Sequence, residues 1–130
     1  MKKTTRAWLR KAEEDFHAAQ KLLSAKPRIN SVICFHCQQA AEKYLKAIMD
    51  EWNMIPPKTH DLEDLMAMIR PLDPFLDAMQ NDLKDLTDYA VEYRYPGISA
   101  TSKEAVKAMK ITQSLRHLVR KKLGLRTTTQ

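Results

Sequence analysis

Glycine occurs only at Gly97 and Gly124, and all six prolines (Pro27, Pro56, Pro57, Pro71, Pro74, Pro96) stand at the edges of periodic segments rather than inside them. Proline placed this way punctuates helices, because inside one it removes a backbone donor and clashes with the preceding turn. Between these marks the apolar residues recur about every 3.6 positions, and no strand-like alternation persists. Ala, Leu, Lys, Glu, Gln and Met, all good helix formers, dominate. The sequence predicts an all-α fold.

The first helix is expected from about Thr5 to Ala25, with Trp8, Ala12, Phe16, Ala19, Leu22 and Leu23 on one face, stopping before Pro27. A second starts after Asn30 or Ser31 and ends near Trp52. At 100° per residue its Ile33, Cys34, Cys37, Tyr44, Leu45 and Ile48 share one arc with several alanines and Trp52, which reads as a core face. A short helix of about Asp61 to Arg70 carries Leu62, Leu65, Met66 and Ile69. Asp73-Pro74 reads as an N-cap followed by proline at the first helical position, opening a helix through Phe75, Met79, Leu83 and Leu86 to about Glu92. Thr101-Ser102-Lys103-Glu104 matches a capping box, and the helix it opens ends at Leu123 with Gly124 as a left-handed cap. Four long helices and one short one imply an antiparallel up-and-down four-helix bundle with one extra short helix. The expected organisation is a single domain, 1–130, with a core of about 5–123 and a flexible tail, 124–130.

With 130 residues, 44% of them hydrophobic and 29% charged, the chain can bury a core without disulfides or metals. Cys34 and Cys37, three positions apart, do not make a disulfide framework, which suggests a cytoplasmic protein. Cys-x-x-Cys also invites a zinc reading, but a structural site needs four ligands and the chain has no second pair; both cysteines project into the apolar arc. No metal and no cofactor is expected. No apolar run approaches membrane-spanning length, and the basic N-terminus lacks the apolar stretch of a signal peptide.

Charge is uneven. The formal net charge is +6, yet residues 61–92 hold nine acids against Arg70 and Lys84, whereas residues 98–130 hold eight bases against Glu104. On the last helix Lys103, Lys107, Lys110, Ser114, His117 and Lys121 share one face opposite Ala105, Ala108, Ile111, Leu115 and Val119. Such a stripe either is a solvated face or attracts nucleic acid or an acidic partner.

Two loops carry most of the remaining chemistry. In Thr59-His60-Asp61-Leu62 the threonine and aspartate are helix caps, and the histidine stands near the positive end of a helix dipole, where anions bind. In Tyr93-Arg94-Tyr95-Pro96 an arginine fork lies beside two phenols, which offers phosphate pairing with base stacking, or else an aromatic lid on the bundle. On the second helix His36, Gln39, Lys43 and Lys46 form a polar face, solvent-exposed or meeting nucleic acid or a second subunit, and Glu42 with Lys46 makes a favourable i,i+4 pair. Glycine-rich phosphate loops, His-Glu-x-x-His and serine elbows are absent from the sequence, which excludes most standard enzyme chemistries.

Trp8 with the Ala12-to-Ala19 stretch, Gln38-Gln39-Ala40-Ala41-Glu42-Lys43-Tyr44-Leu45-Lys46-Ala47, Thr59-His60-Asp61-Leu62 and Tyr93-Arg94-Tyr95-Pro96 together resemble the HEPN domain (higher eukaryotes and prokaryotes nucleotide-binding), over about residues 5–123. The resemblance is to the small stand-alone prokaryotic type. It implies a helical bundle that forms homodimers and is paired with a minimal nucleotidyltransferase in a toxin-antitoxin-like module. Many members are metal-independent ribonucleases whose motif is an arginine followed four to six residues later by a histidine. Here only Arg10 and His17 fit that spacing, in the first helix, whereas the family's motif belongs near the last core helices. Binding of a nucleotide, RNA or the nucleotidyltransferase partner is therefore the leading expectation, with His60, Tyr93, Arg94, Tyr95 and Lys43 as its residues. The alternatives are an RNA-cleaving toxin using a non-standard pair, His60 with Arg94, and a non-catalytic dimeric scaffold.

Overall fold

In a computed structural model the described residues, 1–127, form α1 (Lys3–Ser24), α2 (Asn30–Glu51), α3 (Leu62–Ile69), α4 (Pro74–Asp77), α5 (Gln80–Glu92) and α6 (Ser102–Lys122). The long helices α1, α2, α5 and α6 run up and down, and α3 with α4 is an insertion between the second and third of them. Helix α2 is central, packing against α1, α3, α5 and α6. That position explains why it is buried nearly all round: Gln38, Glu42 and Lys46 are inside along with the expected apolar arc.

Local chemistry sets the boundaries. Thr101 and Glu104 form the anticipated capping box at the start of α6. Asn53 at φ 61° turns the chain out of α2, and Gly124 at φ 72° turns it out of α6. The helix expected over 73–92 is divided: α4 makes one turn after Pro74, and α5 begins only at Gln80. The division lets Leu76, on α4, which packs beside α3, and Leu83 and Leu86, on α5, which packs against α2 and α3, all bury fully. Of the expected tail, Leu125 donates its N–H to the Arg120 carbonyl at 2.8 Å and packs on the core. Residues 128–130 of that tail lie outside the described residues.

The two ends of the bundle differ. At one, Lys2 and Thr4 bond Asp50 at the end of α2. At the other, Asn30 bonds Ser102 and Ser31 accepts from the Ala100 N–H, which brings together the starts of α2 and α6 and the loop that leaves α5.

Candidate functional site

His60 lies in the turn that enters α3, and several bonds fix that turn. The Gln38 side-chain amide donates to the His60 carbonyl at 2.8 Å, and the Asp61 N–H donates to the Thr59 hydroxyl at 3.1 Å. Asp61 caps α3 by accepting from the Glu63 N–H, and the Leu62 N–H is taken by Thr87 Oγ1 at 3.2 Å. The capping roles are thus realised, and the first amides of α3 already have side-chain partners. The imidazole itself is 77% exposed, yet its Nδ1 stands 3.0 Å from Oε1 of Glu42, a carboxylate only 5% exposed. Oε2 of Glu42 pairs with the buried Lys46 ammonium at 3.1 Å, and that ammonium sits 5.5 Å from the centre of the Trp8 ring. The Glu42–Lys46 pair matches the i,i+4 spacing; the tie from Glu42 to His60 has no counterpart in the sequence pattern.

The second group of site residues gathers at the start of α2, whereas His60 meets its middle. Arg94 lines a shallow hollow of about 200 Å³ with Val32, Phe35, Tyr89, Ala90 and Tyr93. Arg94 is exposed and makes no hydrogen bond or ion pair among the described residues, so its guanidinium is available at the lip. Tyr89 and Tyr93 stack with ring centres 5.9 Å apart. The Tyr93 hydroxyl donates to Glu104, and that bond, with some desolvation behind it, holds the phenol well above its ordinary range. Tyr95 stands 61% exposed in the following loop. Phe35, 40% exposed, belongs to this hollow but carried no sequence signal, since nothing in helical spacing separates an exposed aromatic that lines a site from one that does not.

The structure does not join the two clusters within one chain. His60 leans on Gln38 and Glu42, whereas Arg94 shares its hollow with Val32 and Phe35. Those stretches of α2 are centred roughly 10 Å apart at the helical rise per residue. Lys43 is removed from both: its ammonium meets Asp15 Oδ2 of α1 at 2.5 Å, and His36 Nδ1 meets the other oxygen of Asp15 at 2.9 Å. Of the polar face expected on α2, His36 and Lys43 therefore meet α1 while staying partly exposed, and Lys46 is buried against Glu42. His17 faces Gln20 and Glu13 rather than Arg10.

The α6 stripe is exposed throughout, from Lys103 to Lys121. Lys107 is tied to Asp85 at 2.7 Å, and the first turn of α6 lies beside the hollow through the Asn30–Ser102 bond. Cys34 and Cys37 are free and buried, and burial pushes their thiols up to about 11 and about 12. Thiols so far from ionisation are packing groups. Among the described residues no group of three or more His, Cys, Asp or Glu is placed to hold a metal, and no helix is long and apolar enough to cross a membrane.

Compared with known proteins, the chain matches a family model described as the HEPN domain over residues 5–122. The crystal structure of TT1696 from Thermus thermophilus is similar, with a TM-score of 0.74 and 26% identity over 91% of this chain and 97% of that one. No curated protein matches the chain.

Proposed function

The chain belongs to the HEPN family, and from that premise we propose that it binds a nucleotide or RNA segment in the hollow between the start of α2 and the end of α5. The observation that carries this reading is an unpaired guanidinium at the lip of an aromatic recess. Phe35, Tyr89 and Tyr93 offer ring faces and edges for a base, and Arg94 offers a fork for its phosphate. Tyr95 is a further exposed aromatic in the loop that follows, and Lys103 in the first turn of α6 adds positive potential. The test is fluorescence anisotropy with a labelled oligoribonucleotide. Arg94→Ala is expected to weaken binding about tenfold, the loss of one charge-assisted contact of roughly 1.5 kcal/mol. Unchanged affinity in Arg94→Ala and Phe35→Ala proteins that melt normally refutes the site.

The binding unit in this reading is a cytoplasmic homodimer that partners a minimal nucleotidyltransferase in a toxin-antitoxin-like pair. Co-expression and co-purification with a neighbouring nucleotidyltransferase test the partner. A second reading, RNA cleavage, has one observation in its favour: an exposed His60 whose ring is fixed by a buried carboxylate. Incubation with total RNA in EDTA, beside His60→Ala, decides it.

A further inference from the structure

We infer that Glu42 is a positioning residue that holds His60 as the Nδ1–H tautomer, so that its Nε2 is a fixed, solvent-facing proton acceptor for an O–H or N–H donor such as a ribose hydroxyl. The choice of a hydroxyl-bearing ligand rests on the nucleotide or RNA reading; the tautomer does not. Surface histidines ordinarily keep their ring free to rotate. This one is 77% exposed but anchored at Nδ1 to a carboxylate that is 5% exposed, with an ammonium on the far carboxylate oxygen. A carboxylate accepts and cannot donate, so the hydrogen in the 3.0 Å contact belongs to Nδ1, and in the neutral ring the lone pair is then on Nε2. The backbone is fixed as well, by Gln38 on the His60 carbonyl and by Thr59 on the next N–H.

Placing Glu42 inside a bundle is costly unless its lone pairs are used, and both its oxygens have partners. What reaches Nε2 is set by the surroundings. Asp61 and Asp64 are bound into the same turn, and α3's first amides are occupied. A bare phosphate meets carboxylates there instead of amides, whereas a hydroxyl donor meets the Nε2 lone pair of the Nδ1–H tautomer.

The experiment is long-range proton–nitrogen NMR on uniformly ¹⁵N-labelled protein, with His60 assigned by His60→Gln and spectra taken where the ring is neutral. The expected result is an Nδ1–H pattern in the parent protein and a shift towards the Nε2–H form in Glu42→Gln. Because Glu42→Gln leaves Lys46 inside without its counter-charge, Glu42→Gln with Lys46→Met is the second variant, and both are checked by thermal melting. Carbethoxylation of His60 by diethyl pyrocarbonate, read by mass spectrometry, is expected to slow several-fold in the same variants while His117 reacts unchanged. An Nε2–H pattern in the parent, or a pattern indifferent to Glu42 in folded variants, overturns the inference. Adding oligouridylate then separates the two readings: a Glu42-dependent tautomer with no response to RNA upholds the positioning role and removes the ribose.

Discussion

Glu104 shows how much one carboxylate organises. It accepts from the Thr101 N–H at 2.9 Å, completes the capping box of α6, and receives the Tyr93 hydroxyl across the hollow. The Tyr93 bond, followed by the Thr101 N–H, holds its carboxyl below the usual value of 4.5. A carboxyl lowered in the folded chain contributes stability above its unfolded value and loses it as pH falls through the folded one. Glu104→Gln, whose amide oxygen can still accept from Thr101, is therefore expected to cost about 0.5 kcal/mol near neutrality, the size of a charge lost beside a helix N-terminus, and less in acid, where the folded carboxyl is itself protonated. Thermal melts at both pH values check this, and an equal deficit at each removes the electrostatic share. The capping box was legible in the sequence because its partners are three residues apart. So was the Glu42–Lys46 pair, four apart. The Glu42–His60 tie spans eighteen positions, and Lys43 reads as a free cation until α1 brings Asp15 against it. Contacts between elements leave no periodic trace.

At the scale of elements, periodicity located every long helix but one to within about two residues, because a 3.6-residue apolar stripe is what buries a helix. It failed at Met79. A continuous stripe through Phe75, Met79, Leu83 and Leu86 fits one straight helix, but the chain turns between α4 and α5, so that α4 packs on α3 while α5 packs on both α2 and α3, and Leu76 and Leu83 are both fully buried. Leu76→Ala, at a fully buried position, is expected to cost about 2–5 kcal/mol in urea denaturation. A cost under about 1 kcal/mol means that α4 does not hold the insertion. The α6 stripe gives a different prediction. Lys103 and Lys110 are exposed beside a groove that they line with Val106 and Lys107. If the stripe supplies long-range attraction to RNA, Lys103→Glu with Lys110→Glu is expected to lower affinity several-fold at low salt. It should also flatten the salt dependence by about two phosphate contacts' worth of slope. A salt slope that does not move assigns the stripe to solvation alone.

For the whole molecule, the distribution of exposed apolar side chains matters more than their number. Ile29, Val32, Phe35, Val91, Tyr95 and Ile98 are all between 38% and 61% exposed. They come from the start of α2, the end of α5 and the loop after it, which the Ser31 and Asn30 bonds gather at one end of the bundle. Large apolar groups concentrated at one end mark an interaction surface. A homodimer that uses this face is the prediction at this scale. Light scattering after size exclusion should give twice 15.1 kDa for the parent, and Ile29→Glu with Ile98→Glu should give the monomer mass with helical content retained. Neither residue lines the hollow beside Arg94. Oligoribonucleotide affinity therefore becomes informative: if it survives in the monomer, each copy carries a complete binding recess, and if it is lost with the dimer, the recess is one half of a site that the second copy closes. A parent protein that is already monomeric at micromolar concentration removes this face as a dimer contact and leaves the apolar end for a partner of another kind.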